Sequence, residues 1–400
     1  MTAIAITYPF PLGKANGGAR MTREIARHLG RLGVQVTILP VSASPASRYP
    51  RPPAAPDGLG LEFDEEMARD QVQVLRVPQH PAHWLLDGLM VRRELGRLLA
   101  RQKVDAVLSY YQEAAFLPGF LRRRGVRFGY ISTWQSYALA LGEDAREAPR
   151  RKRLRKWTNN RFIRTPHRAA DVLFPTSAFT REELVSLLGV DGARAQVCYL
   201  GVEPGFLGIP RPPLAGPPRD AITRFIFFGR YVPSKGVADA LEVLGRLRAE
   251  GQADLEFRMM GQGDRGWVRG LAEKFGVAEQ VTIGTAVGDA DLRAALEWAD
   301  VALMPSHAEA FGLSIAEAQA AGLPVIAYAA GSVPEVVADG ETGWLAPFRE
   351  VAGLAEAIRQ AVADPVETHR RGRAGRVRVA ARFTWENTAR TILTGVEALL

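Results

Sequence analysis

Cysteine is all but missing: Cys198 is the sole thiol in 400 residues. That excludes an intrachain disulfide framework and a Cys/His zinc cluster, favours a reducing compartment, and leaves Cys198 to be read as a small buried hydrophobe. No stretch reaches the roughly 18 uninterrupted apolar residues that a membrane-spanning helix needs. The opening Met1-Thr-Ala-Ile-Ala-Ile-Thr-Tyr8 has no basic residue ahead of its short apolar run. No secretory leader is therefore expected, and the chain is expected in the cytoplasm, with at most a peripheral hold on the inner face of a membrane.

What is present is ordinary in kind. Apolar residues make up 47% and charged residues 24% of the chain, as in a soluble globular protein, and the length suits two domains. Fifty-one Lys plus Arg against forty-three Asp plus Glu leave a net charge of +8. Anionic partners follow: nucleotide phosphates, phospholipid or nucleic acid.

Short β-branched runs alternate with helical patterns, the mark of a parallel sheet wrapped by helices. Strands are predicted at Ile4–Tyr8, Val34–Val41, Val72–Val77, Val104–Tyr110, Arg127–Ser132 and Val172–Thr176. Between the first two, Met21, Ile25, Leu29 and Leu32 recur at helical spacing before Gly33. From Pro204 to Ile222 the pattern stops in a Pro/Gly-rich linker. A second series follows, with strands at Phe225–Phe228, Leu255–Met259, Val281–Ile283, Val301–Met304 and Val325–Tyr328. The fold class is thus α/β, with two doubly wound, Rossmann-like domains over residues 1–203 and 223–383. In such sheets ligands bind beyond the carboxyl ends of the strands, and the expected site is a cleft between the two domains. Residues 43–60, rich in proline, read as a surface loop or an acceptor-recognition loop.

Three segments that leave strand ends could carry chemistry. Gly17-Gly18 opens the first helix, where backbone N–H groups can hold a phosphate or where glycine serves the turn alone. A dinucleotide fingerprint needs G-x-G-x-x-G and an acid after the second strand, and Pro40-Val-Ser-Ala-Ser-Pro45 offers none. The second segment, Phe225-Ile-Phe-Phe-Gly229-Arg230-Tyr-Val-Pro-Ser-Lys235-Gly236, sends an arginine fork and a lysine point charge from one strand end. They can converge on a diphosphate or stay solvated. In the third, Glu309 sits in a turn before a helix that starts near Phe311, passes Gly312 and Leu313 and stops at Gly322. Glu317 lies five helical steps beyond Gly312, about 7.5 Å along the axis, a span comparable with a pyrophosphate. One carboxylate could hold a sugar and the other a ribose, with the helix amides on the phosphates between them. The bland reading makes Glu309 a cap-region acid and Glu317 a surface charge.

The order Gly-Gly loop, Gly-Arg-x4-Lys-Gly, Glu-x7-Glu resembles family 4 of the retaining GT-B glycosyltransferases (glycosyl transferases group 1) over essentially the whole chain. Its most specific stretch is Ser306 to Asp339, including Gly322-Leu-Pro-Val-Ile and Gly331-Ser-Val-Pro-Glu335. The resemblance implies a hexosyl transfer from a UDP- or GDP-sugar to a saccharide or lipid-linked acceptor in glycan or cell-envelope polysaccharide synthesis. By the same resemblance Arg230, Lys235 and Glu309 are the catalytic set, with Arg230 and Lys235 on the diphosphate and Glu309 on the donor sugar. Glu317 would take the ribose, and Gly17 and Gly18 would close over the phosphates. Gly229, Gly261, Gly263, Val287, Phe311, Gly312 and Leu313 would line the nucleotide. Residues 384–400 would form a helix crossing back to the first domain. A nucleotide-sugar epimerase of the same form and a non-catalytic glycan-binding subunit are the competing functions. One departure stands out: where many relatives carry a histidine near the donor sugar, Ile131-Ser-Thr-Trp134-Gln135 has none.

No cofactor and no metal is expected, since cations and helix amides can hold a departing polyanion. Asp289-Ala-Asp291 looks like a metal-binding acid pair but opens a helix, where aspartate is a favoured cap. Gly312-Leu-Ser314-Ile-Ala316 fails as a nucleophile elbow because Ala316 replaces the closing glycine. From Arg146 to Arg168 ten basic residues interleave with Leu154, Trp157, Phe162 and Ile163. That segment suits an anionic membrane surface or a solvated helix, and nucleic acid is not expected because nothing resembles a base-reading motif. The arginine-rich run Arg370 to Arg382 reads as packing.

Overall fold

A computed structural model describes residues 1–10, 12, 17–42, 61–78, 83–134, 157–211, 223–252, 254–285 and 289–400. The prolines of 43–60, the basic residues 146–156, most of the linker (212–222), Gln135 and Val287 lie outside the described residues. The chain divides into two compact units, Met1–Leu200 with Trp385–Leu400, and Gly201–Thr384.

The first unit holds a parallel sheet with strand order β3-β2-β1-β5-β6-β7 and β4 paired to β2. Its strands are β1 (Ala3–Tyr8), β2 (Gln35–Ser42), β3 (Val72–Val74), β4 (Val77–Pro78), β5 (Ala106–Ser109), β6 (Arg127–Ser132) and β7 (Val172–Pro175). All six residues of β1 and all four of β5 and β7 are buried, as expected of parallel strands covered on both faces. The order reverses between β1 and β5, which makes their carboxyl ends the topological switch point. The expected strand Val72–Val77 is split in two, each part pairing β2 at a different place.

In the second unit the order is β10-β9-β8-β11-β12-β13, again all parallel. The strands are β8 (Arg224–Phe228), β9 (Glu256–Gly261), β10 (Val281–Thr285), β11 (Val301–Leu303), β12 (Val325–Tyr328) and β13 (Gly343–Ala346). Here the switch point lies between β8 and β11, and β13 is a strand the apolar runs did not reveal.

One device recurs in both units. Asp105, Asp171 and Asp300 stand just ahead of β5, β7 and β11 and accept the backbone N–H of Ala3, Phe128 and Arg224 at the start of a neighbouring strand, at 2.9, 2.8 and 3.1 Å. Each satisfies a donor that the sheet ladder leaves over, and so helps fix where the strand begins.

The Pro/Gly-rich stretch is ordered at its start. Pro204–Leu207 is a helical turn with Phe206 buried, and Arg211 donates to the carbonyls of Ala299 and Ala321. The helix Pro365–Arg382 uses its arginines the same way: Arg371 on the Gly343 carbonyl, Arg376 on Ile209 and Ala321, Arg378 on Glu335 and Val336. Several arginines of this unit are thereby spent on carbonyl ends. Among the described residues no helix is long and apolar enough to cross a membrane.

Candidate functional site

The Gly201–Thr384 unit gathers its chemistry at the carboxyl ends of β8 and β11, on either side of the switch point. β8 ends at Phe228; Gly229, Arg230 and a short turn at Pro233–Lys235 follow. β11 ends at Leu303, and the loop through Gly312 is buried along nearly its whole length, with Ser306 at 1%, Glu309 at 4% and Phe311 at 3% exposure.

A chain cannot bury such a loop without satisfying its backbone, and two glycine turns make the close approach possible. Gly236, at φ +67, lies so near the Pro305 carbonyl that a Cβ would meet its oxygen at 1.8 Å. Gly331, at φ +56, leaves 2.6 Å between a would-be Cβ and the Glu309 carbonyl oxygen. Only glycine adopts that backbone at no cost and without collision. The His307 amide donates to the Ser234 carbonyl at 2.8 Å, and Ser332 donates its amide and hydroxyl to the Glu309 carbonyl at 3.2 and 3.1 Å. The Lys235 turn and the Glu309 loop are thus tied to each other through backbone.

The side chains then meet. Lys235 Nζ stands 2.6 Å from Glu309 Oε1, with only 12% and 6% of the two side chains exposed. Opposite charges so little hydrated stabilise only with tight geometry, and removing either strands the other. An ammonium has three donors, and this contact uses one, so Lys235 can keep Glu309 and still reach an anion. Arg230, five residues earlier, is exposed and has no carboxylate partner among the described residues.

Behind the pair, the helix Leu313–Ala320 begins at Gly312 (φ +88) with no side-chain cap, so its leading N–H groups are available to an anion. Its other end is covered: Arg211 and Arg376 donate to the Ala321 carbonyl at 2.6 and 2.8 Å. Cations at the negative pole and an open positive pole leave the helix poised for negative charge on the Glu309 side. Glu317 lies on this helix, 7% exposed.

Next to β8, Gly261 closes β9 and Gly263 forms a bridge with Tyr231. The Tyr231 hydroxyl donates to the Gly284 carbonyl at 2.8 Å, joining the ends of β8, β9 and β10. Gly229, Gly261, Gly263 and Gly284 therefore form one neighbourhood, which sequence spacing could only place in order.

Of the remaining predicted residues, Gly17 and Gly18 open the helix Gly17–Arg31 of the first unit, where Thr22 Oγ1 donates to the Gly18 carbonyl at 2.8 Å. Trp134 packs against the core of that unit beside Tyr130. Among the described residues no group of three His, Cys, Asp or Glu could hold a metal ion.

Two clusters escaped the sequence. Asp239, in the first turn of the helix Val237–Ala249, accepts from His307 Nε2 at 3.0 Å and from the Tyr328 hydroxyl at 2.9 Å. Burial works against its ionisation, but these bonds outweigh it and hold the carboxyl below its usual range. In the first unit Glu113 is fully buried, and its Oε1 accepts from Thr7 and Ser109 at the switch point. Burial pushes this carboxyl up to about 7.

Comparison with known proteins bears on both units. Residues 219–378 match the family model described as glycosyl transferases group 1, and residues 16–201 match the glycosyl transferase 4-like domain. A glycogen synthase of Mycobacterium tuberculosis is 33% identical over 242 residues, 58% of this chain and 57% of that one. A D-inositol 3-phosphate glycosyltransferase of Mycobacterium bovis is 34% identical over 238 residues, 56% of this chain and 48% of its own. The chain thus spans about half the length of the curated relatives it matches. Among solved structures, sucrose-phosphate synthase from Thermosynechococcus elongatus superposes with a TM-score of 0.76 at 20% identity, covering 100% of this chain and 99% of the other. Anabaena HepE, solved with UDP and glucose, gives 0.70 at 17% identity with both chains fully covered. At these identities the structural likeness is one of fold, and that fold is GT-B.

Proposed function

Because residues 219–378 match the glycosyl transferases group 1 and residues 16–201 the glycosyl transferase 4-like domain, we propose that the chain moves a hexosyl group from a UDP- or GDP-sugar to a saccharide or lipid-linked acceptor, with retention at the anomeric carbon. The observation that carries this reading is the buried Lys235–Glu309 pair, 2.6 Å apart at the carboxyl ends of the switch-point strands and beside an uncapped helix N-terminus. Lys235 and Arg230 hold the diphosphate, the leading amides of Leu313–Ala320 add to them, Glu309 holds the sugar and Glu317 the ribose. Gly17 and Gly18 offer backbone N–H groups to phosphate, and the base lies near Gly261 and Gly263.

The chemistry follows from charge. The bond between the anomeric carbon and the β-phosphate oxygen breaks, its electron pair leaves on phosphate, and the acceptor hydroxyl adds to carbon while its proton passes to the departing oxygen. Fixed cations and amides stabilise the charge where it develops, so no metal ion takes part. Similarity to a glycogen synthase and a sucrose-phosphate synthase supports a hexose as the transferred group, and similarity to Anabaena HepE, solved with UDP-glucose, supports a nucleotide-linked donor. Trp157, 53% exposed, stands with Arg161, Arg164 and Arg168 at the described end of the basic stretch and supports a peripheral hold on an anionic membrane.

The test is nucleotide release from UDP-, GDP- and ADP-glucose with and without a maltooligosaccharide acceptor. One donor should be consumed in wild type and turned over at least about 100-fold more slowly by Lys235→Ala. Recovery of an isomerised sugar nucleotide, or equal rates in the two proteins, would refute the reading.

A further inference from the structure

The loop that carries Glu309 needs more than two glycine turns to keep its place, because Lys235 and Glu309 come from separate strand ends. A hydrogen-bonded triad spans the gap. Asp239 lies four residues after Lys235, at the start of the helix that the Lys235 turn leads into. His307 lies two residues before Glu309, and Tyr328 ends β12. One carboxylate oxygen, Asp239 Oδ2, accepts from both, at 3.0 Å from His307 Nε2 and 2.9 Å from the Tyr328 hydroxyl. Three chain segments thereby meet at one atom, and the His307 amide adds its bond to Ser234 from the other side.

We infer that His307, Asp239 and Tyr328 are positioning residues, a clamp that fixes the register of the Lys235 turn against the Glu309 loop. The role rests on the function proposed above but not on the identity of the sugar. None of the three need touch substrate. Glu309 reaches Lys235 only if both loops stay within a few tenths of an ångström, and a misplacement near 1 Å can cost about 100-fold in rate. Side-chain hydrogen bonds suit this task because they are directional, whereas the apolar packing around the loop tolerates sliding.

The clamp separates its effects. Breaking it leaves Lys235, Arg230 and the helix amides in the protein, so the donor should still bind, while the geometry needed for transfer is lost. In the full chain, His307→Ala should lower kcat about 10- to 100-fold on whichever of UDP-, GDP- or ADP-glucose the wild type consumes, and change KM by no more than about 3-fold. His307→Gln, whose amide nitrogen can replace Nε2, should restore kcat to within about 3-fold of wild type. Amide hydrogen exchange of the unliganded protein should quicken over 233–239 and 304–312 in His307→Ala and not elsewhere.

Wild-type kcat in His307→Ala, a Gln variant as impaired as the Ala variant, or unchanged exchange would each overturn the clamp. A wild-type protein that consumes none of the three donors would instead overturn the proposed function, and exchange alone would then decide the clamp. Should His307→Ala lose its far-UV dichroism, Tyr328→Phe decides in its place, since it deletes one hydroxyl and keeps the ring. It should show the same faster exchange and a smaller fall in kcat.

Discussion

Lys235 and Glu309 hold each other before any substrate arrives, and this shapes what their substitution does. With side chains 12% and 6% exposed, each is the other's main relief from desolvation. Lys235→Ala leaves a buried carboxylate with no cation and should cost about 3–5 kcal/mol of stability as well as activity. Lys235→Met combined with Glu309→Gln should return most of the stability and none of the activity, since a neutral pair needs no compensation. Thermal melts of the three proteins check this, and equal melting of the Lys235→Ala variant and wild type would show that the pair adds nothing to the fold. Sequence alone named both residues but could not show the contact between them. They are 74 positions apart, and the bond depends on β8 lying next to β11. Asp239, His307 and Tyr328 were invisible for the same reason, as nothing local marks an aspartate in a helical first turn as the partner of two later side chains.

At the scale of elements, what the apolar runs revealed and what they missed have physical causes. Strands buried on both faces, such as β1, β5 and β8, announce themselves as continuous apolar runs. β13 (Gly-Trp-Leu-Ala) does not, because it is short and starts with glycine. The helix Leu313–Ala320 was expected from its alanines, whereas the arginines that cover its far end come from the linker and from Pro365–Arg382. The end of β5 leads to a prediction of its own. Glu113, in the turn after β5, titrates near 7 when folded against 4.5 in its ordinary state because it is buried. Its raised value favours the folded state fully below pH 4.5, and that contribution is lost as pH rises through 7. Relative to Glu113→Gln, wild type should therefore lose about 3 kcal/mol between pH 4.5 and pH 8. Burial drives His167 the other way, down to about 4, so its contribution is present above pH 6.5 and lost as pH falls through 4. Urea titrations at pH 5 and pH 8 test the Glu113 prediction, and a pH-independent difference would mean the carboxyl is charged in the folded protein too.

Over the whole molecule, the last helix belongs to the unit formed by the first 200 residues. Trp385, Ala389, Ile392 and Val396 of Trp385–Glu397 are buried, and Gly395 lies so close to Phe174 that a Cβ would sit 2.8 Å from the ring. The Cys198 thiol, pushed up to about 12 by burial, lies in the same packing and donates to the Thr388 carbonyl. A chain ended at Thr384 exposes that surface and forfeits about 2 kcal/mol for each large apolar side chain removed. Calorimetry should show the transition of the first unit falling sharply while that of Gly201–Thr384 stays in place. A uniform shift of both would count against the division into two units.

By itself the sequence determined the class of most elements, β13 excepted, because hydrophobic period and turn residues act over a few neighbours. It also put Arg230, Lys235 and Glu309 after strands and Glu317 within the helix that follows, since those positions depend only on local order. The tertiary structure alone decided which strands are neighbours, and hence that Lys235 meets Glu309. It decided as well that Gly236 and Gly331 must be glycine, that Asp239 joins His307 to Tyr328, and that Glu113 is dry enough to hold a proton near neutrality. Each of these is a relation between atoms far apart along the chain, and such relations exist only once burial and strand order have fixed who stands beside whom.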